Sequence, residues 1–316
     1  MSDRPDAIRI EILNDVGRSV VDADAEWKKL ASGFAWAEGP VYLTSSDCLI
    51  FSDIPGDAMH KWSEGVGLET FRKPSNFTNG NCLDKIGRLV SCEHKGRSVT
   101  RTDLTTMKVN VVVDHHDGKP FNSPNDVVVK SDGSIFFTDP DYGCQINEGH
   151  GKMPEQAGNY VYCVLPGTSV AIPVITDMLR PNGLCFSPDE SLLYVADSGA
   201  ARYPKNHEKC QIEFNWSDPH HVRVYDIVNG HETRNSRLFK TIETIPDGIR
   251  TDVQGNLYVS TFQGVEVYSP SGTPLCIIHA PNKTANCSFG GPDNTTLYLT
   301  SLDTVWSVKC NIKGSV

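Results

Sequence analysis

Short apolar segments separated by polar turns follow one another along most of the chain, and they share a pattern. In each copy a turn containing glycine or aspartate precedes a β-prone apolar strand, which ends in an acidic or small polar residue. Six copies are present, at residues 48–53, 88–93, 134–139, 192–197, 256–261 and 296–301. The first two lie about 40 residues apart, the length of a four-stranded propeller blade, and the longer later intervals indicate insertions.

Further strands flank each copy. Upstream of it a short polar motif begins another strand, as in the motifs that contain Glu38, Asn182 and Asp247. An alternating or continuously apolar segment follows it, and a fourth strand completes the first five copies. The chain is therefore predicted to be all-β, with the architecture of a six-bladed β-propeller.

The sixth copy stops after its third strand, whereas residues 25–33 form a segment without a partner at the beginning of the chain. We expect this segment to supply the missing fourth strand, because closure by a terminal strand removes an exposed sheet edge. Residues 1–316 are predicted to form a single propeller domain, with residues 1–24 as an N-terminal extension.

Composition and charge exclude several classes of function. The net charge is −10, from 29 Lys and Arg against 39 Asp and Glu, which disfavours a nucleic-acid partner and is compatible with a monomer or a weak homo-oligomer. No apolar stretch reaches the roughly 20 residues of a membrane-spanning helix, so no membrane partner is expected. The polar N-terminus lacks a secretory apolar region, and the ten cysteines form no C-x-x-C pair. Reduced core thiols and a cytoplasmic location are therefore expected.

The first strand of a propeller blade lines the central channel, so the residues that begin these strands should converge at one mouth. These residues are Glu38, Asn79, Asn125, Asn182 and Asp247, with Asn286 or Cys287 in the sixth copy. Unpaired buried charges are costly, so such a ring indicates a bound partner. An alternative interpretation is that the Asn-Gly and Asp-Gly pairs only form turns at strand entry.

A hard cation is the partner that this ring favours. Carboxylate and amide oxygens suit Ca²⁺ or Mg²⁺, with Mn²⁺ as an alternative. The ring contains no histidine, which argues mildly against a dedicated zinc catalyst, although Zn²⁺ stays among the alternatives. We therefore expect one divalent metal ion, with Ca²⁺ favoured.

Two long insertions, residues 140–159 and 198–221, connect second and third strands and should overhang the same mouth, where they would shape a substrate pocket. We expect His94 and Tyr142 to line this pocket. Other candidates in the same class of loop are Tyr203, His207, Phe214, Trp216 and His220 in the second insertion, together with His150 and Phe262.

Several of these segments together resemble the senescence-marker-protein (regucalcin)/gluconolactonase family. The resemblance covers roughly residues 30–310. The segments that show it are AEGPVY at 37–42, SPNDVVVKSDGSIFFTDPDYG at 123–143, RPNGLCFSPDESLLYVADS at 180–198, PDGIRTDVQGNLYVST at 246–261 and FGGPDNTTLYLTS at 289–301. The segment 79–101, with its CEH and VTR motifs, is most similar to bacterial-type gluconolactonases.

The resemblance implies one divalent metal in the channel of a six-bladed propeller. The metal ligands would be Glu38, Asn182 and Asp247, and Asn125 would be the nearby amide that contacts substrate, with Asn79 in the pocket. Two positions depart from regucalcin. Ser123 stands where regucalcin has an arginine that helps hold the sugar lactone, and the acidic substrate-contacting residue of regucalcin aligns near Gly143.

The implied reaction is hydrolysis of a sugar-type (aldono) lactone, such as gluconolactone, to the hydroxy acid. Asp247 would orient or deprotonate the attacking water, although metal binding makes a carboxylate a weaker base, and a hydroxide activated by the metal is the alternative. Two other functions stay open: a phosphotriesterase-like hydrolase and a non-catalytic calcium-binding propeller. The sequence contains no G-x-S-x-G, P-loop or dinucleotide-binding motif.

Overall fold

Six antiparallel sheets surround a central channel in the structure, a computed structural model that describes residues 6–203 and 212–315. Each sheet is one blade, and the first strands of neighbouring blades lie against each other around the channel. The predicted six-bladed β-propeller is confirmed. His207 and Cys210 lie outside the described residues.

The strands of each blade follow one another from the channel outwards. Blade 1 contains Ala37–Leu43, Cys48–Asp53, Ala58–Ser63 and Gly67–Arg72. Blade 2 contains Thr78–Leu83, Leu89–Glu93, Ser98–Thr102 and Val109–Val113. Blade 3 contains Val127–Val129, Ile135–Asp139, Tyr160–Val164 and Ala171–Ile175.

The remaining blades have the same order. Blade 4 contains Pro181–Phe186, Leu192–Asp197, His221–Val228 and Glu232–Thr241. Blade 5 contains Ile249–Thr251, Leu257–Thr261, Gly264–Tyr268 and Pro274–His279. Blade 6 contains Thr284–Gly290, Thr296–Ser301, Thr304–Lys309 and, from the beginning of the chain, Trp27–Ser32.

The N-terminal segment closes the ring and also contributes a strand that the sequence does not predict. Trp27–Ser32 pairs antiparallel with Thr304–Lys309, which confirms closure by an N-terminal strand. Arg9–Ile12, for which only an extension is predicted, pairs with Pro274–His279 and adds a fifth strand to blade 5. This strand is held because Ile10 packs into the apolar cluster of blades 5 and 6.

Several short elements lie outside the strands of the blades. They are the 3-10 helices Asp15–Ser19 and Tyr142–Cys144 and the two-stranded ladders His115–His116 with Lys119–Pro120 and Ala201–Arg202 with Glu213–Phe214. In the described ranges no helix combines the length and apolar character needed to cross a membrane. The nine described cysteines are all free, and all but Cys82 are buried.

The core lies between the faces of neighbouring blades. The second strand of blade 1, Cys48–Asp53, is buried at every position, because a sheet covers it on both faces. Between blades 3 and 4, for example, Phe136 and Val161 pack with Leu184 and Val195. This two-sided burial explains why the repeated segment is continuously apolar and does not alternate.

The acidic residue that ends the repeated strand has a structural role in three blades. In each, its carboxylate accepts hydrogen bonds from the backbone N–H groups of the two residues that stand two and three positions before the channel residue Glu38, Asn125 or Asn182. The bonds run from Ala35 and Trp36 to Asp53 (3.1 and 3.0 Å), from Asn122 and Ser123 to Asp139 (2.9 and 2.8 Å), and from Leu179 and Arg180 to Asp197 (both 2.9 Å). The repeated acid therefore fixes the connection that leads into the channel strand.

Candidate metal centre and active site

One mouth of the channel opens into a pocket that brings together residues from all six blades. All seven predicted site residues line it: Glu38, Asn79, His94, Asn125, Tyr142, Asn182 and Asp247. Both long insertions also contribute, since Glu148 and Tyr203 lie on its wall. Of the other loop candidates Phe262 lines the pocket, whereas Phe214, Trp216, His150 and His220 do not.

Bulges at the beginning of the first strands position the channel residues. The pairing register shifts between Glu38 and Val41 in blade 1, between Thr78 and Asn81 in blade 2, and between Pro181 and Leu184 in blade 4. A bulge redirects side chains locally, and here it coincides with the polar motif.

The glycines after the channel residues allow neighbouring strands to approach each other. A Cβ on Gly183 would lie 2.3 Å from the carbonyl oxygen of Asp247, and one on Gly248 would lie 2.1 Å from Cγ of Asn286. Neither glycine has a positive φ. They are therefore required for close packing of the blades around the channel and not for a turn, which corrects the turn interpretation at these two positions.

Two carboxylates face the pocket, that of the buried Glu38 and that of the partly buried Asp247. Glu38 Oε2 accepts hydrogen bonds from the Gly39 N–H at 2.6 Å and from Asn286 Nδ2 at 3.0 Å. Burial and the nearby Asp126 carboxylate raise the pKa of Glu38. Burial and the Glu38 carboxylate hold the pKa of Asp247 well above its usual range, while a hydrogen bond from Asn182 lowers it. Bringing the two groups together is therefore unfavourable unless a positive charge joins them.

A buried ion pair lies close to these carboxylates. Arg250 Nη1 is 3.3 Å from Asp126 Oδ2, and their charges act on Glu38 with opposite sign. When ionised, the carboxylates of Glu38, Asp247 and Asp126 together carry more negative charge than the guanidinium of Arg250 offsets. A bound cation would compensate this excess.

The donor set has the chemistry of a hard-cation site. The described residues contain no cluster of three or more His, Cys, Asp and Glu side chains suited to a metal, so an ion here depends on two carboxylates and amide oxygens. Oxygen ligands of this mixed kind suit Ca²⁺ and Mg²⁺. The residues present thus fit such an ion.

Both ring nitrogens of His94 form hydrogen bonds, one to the Glu148 backbone and one to Asn79, and His94 thereby positions Asn79. Nδ1 lies 2.8 Å from the carbonyl oxygen of Glu148 and must donate, because a carbonyl only accepts. Burial lowers the pKa of His94 to about 4, so the ring is neutral and Nε2 accepts from Asn79 Nδ2 at 3.3 Å. No ring nitrogen of His94 is left for a hydrogen bond to substrate.

Tyr142 joins the two long loops. Its hydroxyl lies 3.1 Å from the carbonyl oxygen of Ser198 and 3.2 Å from that of Ala201. Burial holds the pKa of this phenol well above its usual range. Tyr142 therefore lines the pocket with its ring, while its hydroxyl anchors the wall of the neighbouring blade.

Ser123 and Gly143, the two residues that differ from regucalcin, make local hydrogen bonds and packing contacts. The Ser123 hydroxyl donates to the carbonyl oxygen of Pro140 at 2.6 Å and accepts the Gly143 N–H at 2.9 Å. A Cβ on Gly143 would lie 2.4 Å from Cγ of His94. Neither position presents a charged side chain to the pocket.

Glu148 is a pocket residue that the sequence reasoning missed. Its carboxylate accepts a hydrogen bond from the Tyr203 hydroxyl, and burial of the carboxyl group raises the pKa of Glu148 to about 7. It lies within an insertion, where no repeat position marks it. A carboxyl group in a loop over the predicted site was the only available signal.

Both the sequence and the fold are similar to those of known proteins. Residues 36–303 match the family model described as the SMP-30/Gluconolactonase/LRE-like region. The chain is 30% identical to a gluconolactonase of Zymomonas mobilis over 320 aligned positions, which cover 94% of this chain and 84% of that protein. The structure matches a gluconolactonase of Xanthomonas campestris with a TM-score of 0.85 and 29% identity, covering 97% and 96% of the two chains.

A more distant structure shows the same fold. It is a calcium-binding protein, regucalcin, of Agrobacterium tumefaciens, with a TM-score of 0.71 and 17% identity, covering 92% and 95% of the two chains. The match to the family model spans most of the chain, and the fold agrees throughout. This protein therefore belongs to the SMP-30/gluconolactonase/LRE-like family.

Proposed function

We propose that this protein is a metal-dependent lactonase that hydrolyses a small-molecule lactone to its hydroxy acid. The observation that carries the proposal is the pair of carboxylates, Glu38 and Asp247, beside the amides of Asn125 and Asn182 in one pocket. Glu38, Asn182 and Asp247 would hold one divalent ion, Ca²⁺ first, with Mg²⁺, Mn²⁺ and Zn²⁺ as alternatives. The gluconolactonase relatives make aldonolactones such as gluconolactone the first substrates to test.

Different residues of the pocket contribute to different parts of the hydrolysis. Glu38, Asn182 and Asp247 would hold the cation, which would supply polarisation of the lactone carbonyl and stabilisation of negative charge on its oxygen. Asn125, with Asn79 held by His94, orients the lactone by hydrogen bonds. The Asp247 carboxylate orients a water molecule towards the carbonyl carbon. The water oxygen bonds to that carbon, the ring C–O bond breaks, and the proton lost by the water ends on the released alkoxide oxygen.

Glu148 offers a second proton acceptor for this reaction. A carboxylate bound to a cation is a weak base, because the cation lowers its pKa. Glu148 is outside the proposed ligand set, and the pKa of about 7 makes its carboxylate a stronger base than an ordinary one. It shares the pocket with Asp247, Lys283 and Tyr203.

Replacing Glu148 by glutamine is expected to lower kcat/KM about 100-fold and to change its pH dependence. In the wild-type protein activity should fall as the pH drops through about 7, because the Glu148 carboxylate becomes protonated there. Glu148→Gln should lose that acid limb. The measurement is kcat/KM from pH 5.5 to 8.5 at a saturating metal concentration. Glu155→Gln changes an exposed carboxylate of the same loop that pairs with Arg97 outside the pocket, and it should keep the wild-type profile. An unaltered profile in Glu148→Gln would exclude the role.

The function itself is tested by a pH-indicator assay with glucono-δ-lactone, simple γ-lactones and paraoxon. EDTA should abolish lactone turnover, and one of Ca²⁺, Mg²⁺, Mn²⁺ or Zn²⁺ should restore it, because the two carboxylates then regain their cation. Paraoxon turnover without lactone turnover would support a phosphotriesterase-like hydrolase instead. Folded protein that binds an ion and hydrolyses nothing would support a calcium-binding propeller without catalysis.

A further inference from the structure

The pocket has two chemically different sides. Blades 2 and 3 contribute polar groups, among them Asn79, Asn125 and Glu148. Blades 1, 4 and 5 contribute apolar side chains, namely Trp36, Ile54, Ile212, Ile245 and Phe262, which we call the apolar wall, and the charged Lys283 lies beside Phe262. Four of its five members belong to blades 1 and 5, which flank blade 6.

The apolar wall is built from equivalent positions of two blades. Trp36 and Ile245 each stand two residues before a proposed metal ligand, Glu38 and Asp247. Ile54 and Phe262 each follow directly after the second strand of their blade. The propeller geometry therefore places these side chains around the metal centre at the mouth of the channel.

Three members of the wall, those of blades 4 and 5, form one packed cluster. Ile245 is buried with Ala200 and Ala201, and Ile212 and Phe262 pack against this cluster. Trp36, Ile212 and Phe262 are only partly buried, so apolar area stays open to the pocket. An apolar group placed there would remove that area from water.

An aromatic surface continues the wall towards solvent. The Phe214 ring meets the Phe262 ring edge to face at 5.6 Å and stacks on Trp216 at 5.5 Å. Phe214 is 38% exposed and Trp216 is 51% exposed, so these rings are accessible beside the pocket. The Lys283 ammonium lies 4.1 Å from the centre of the Phe262 ring and 5.6 Å from that of Phe214, so it covers part of this surface. A substituent longer than the pocket could keep apolar contact beyond it with the Trp216 ring.

The aliphatic and phenyl side chains of the wall offer no hydrogen bond to a hydroxylated lactone, and the donors beside them are the Trp36 indole N–H and the Lys283 ammonium. Each hydroxyl buried against the wall without a hydrogen bond would weaken binding. In blade 3, the Ser123 hydroxyl is already bonded to Pro140 and Gly143, and Gly143 is packed against His94. The groups that can hold a sugar are therefore mainly the amides and the carboxyl group of blades 2 and 3.

We propose that the apolar wall binds an alkyl or aryl substituent of the lactone ring, so that lactones carrying such a substituent are better substrates than unsubstituted or hydroxylated ones. The proposal rests on the lactonase function and concerns the substituent, not the chemistry of the ring. It makes Phe262 and Trp36 specificity-determining residues.

The test compares three lactones of the same ring size under one saturating metal ion: δ-valerolactone, δ-decanolactone and glucono-δ-lactone. The wild-type kcat/KM for δ-decanolactone should exceed that for δ-valerolactone at least about tenfold, because its pentyl chain contacts the wall. It should also exceed the value for glucono-δ-lactone. Phe262→Ala should reduce the ratio of δ-decanolactone to δ-valerolactone about tenfold.

Control variants separate specificity from folding. Trp36→Gln changes a second, partly exposed wall residue and should reduce the same ratio. It provides the test if Phe262→Ala does not fold. Phe289→Ala removes a phenylalanine that lines the pocket at the other end of the channel, and should leave the ratio unchanged. Thermal unfolding of each variant reports whether it is folded.

The outcomes distinguish this inference from the proposed function. A wild-type ratio near one, a ratio that both wall variants leave unchanged, or a higher kcat/KM for glucono-δ-lactone would overturn the inference while the lactonase function stands. No turnover of any lactone with any ion would overturn the proposed function and the inference with it.

Discussion

Replacing Asp247 by asparagine is expected to lower kcat/KM for lactone hydrolysis at least about 1000-fold while the propeller stays folded. The carboxylate would contribute both to the ligand set and to orienting the water, and an amide lacks its negative charge. Asparagine nevertheless keeps the shape of the side chain. Because burial and Glu38 hold the pKa of Asp247 well above its usual range, removing this charge relieves repulsion in the metal-free protein.

The measurement combines kcat/KM with thermal unfolding and metal affinity by calorimetry. Asp247→Asn should unfold at the same or a higher temperature than the wild-type protein when both are free of metal. Activity that returns at saturating Ca²⁺ would limit Asp247 to holding the ion, whereas a persistent loss would indicate a role in the chemical step. Asp293→Asn, an exposed carboxylate, should behave as wild type. Undiminished turnover in folded Asp247→Asn would contradict the mechanism.

Replacing Gly183 by alanine is expected to lower the free energy of unfolding by about 3–5 kcal/mol. The new Cβ would lie 2.3 Å from the carbonyl oxygen of Asp247 and 2.7 Å from Cα of Gly248. Both are backbone atoms that cannot rotate away, so the first strands of blades 4 and 5 would have to separate. Asn182 and Asp247 would then move apart, and the affinity for the metal should fall as well.

Urea denaturation measures the stability change, with Gly167→Ala as its control. A Cβ on Gly167 meets no atom within 4 Å, but its φ of 74° is left-handed. That substitution should cost only about 1–2 kcal/mol, from backbone strain alone. If the two variants lost the same stability, close approach of the blades would not be the reason for glycine at position 183.

The repeat allowed the fold and the composition of the candidate site to be predicted from the sequence. Position within the repeat determines radial position in a propeller, so residues far apart in the chain could be assigned to one mouth of the channel. Glu38 and Asp247 are 209 positions apart in the sequence, yet both line the same pocket. Their roles as ligand or base stay predictions until the variants are measured.

Residues outside the repeat could not be placed in this way. Glu148 lies in an insertion whose course depends on contacts with other loops, such as its bond from Tyr203. The strand Arg9–Ile12 is short and pairs with residues 276–279 at the opposite end of the chain. Neither feature has a periodic signal, because each is stabilised by contacts that are distant in sequence.

The amino-acid sequence by itself determined the six blades, the strand that closes them and the ring of oxygen-bearing side chains at the channel. These features follow from local strand patterns that recur with a fixed order, and each copy carries the same information. Only the tertiary structure decided that His94 orients Asn79, that Ser123 and Gly143 serve packing, and that Trp36 and Phe262 form one apolar wall. Those assignments depend on which side chains meet across blades, and the free energy of such contacts belongs to the pair and not to either residue alone.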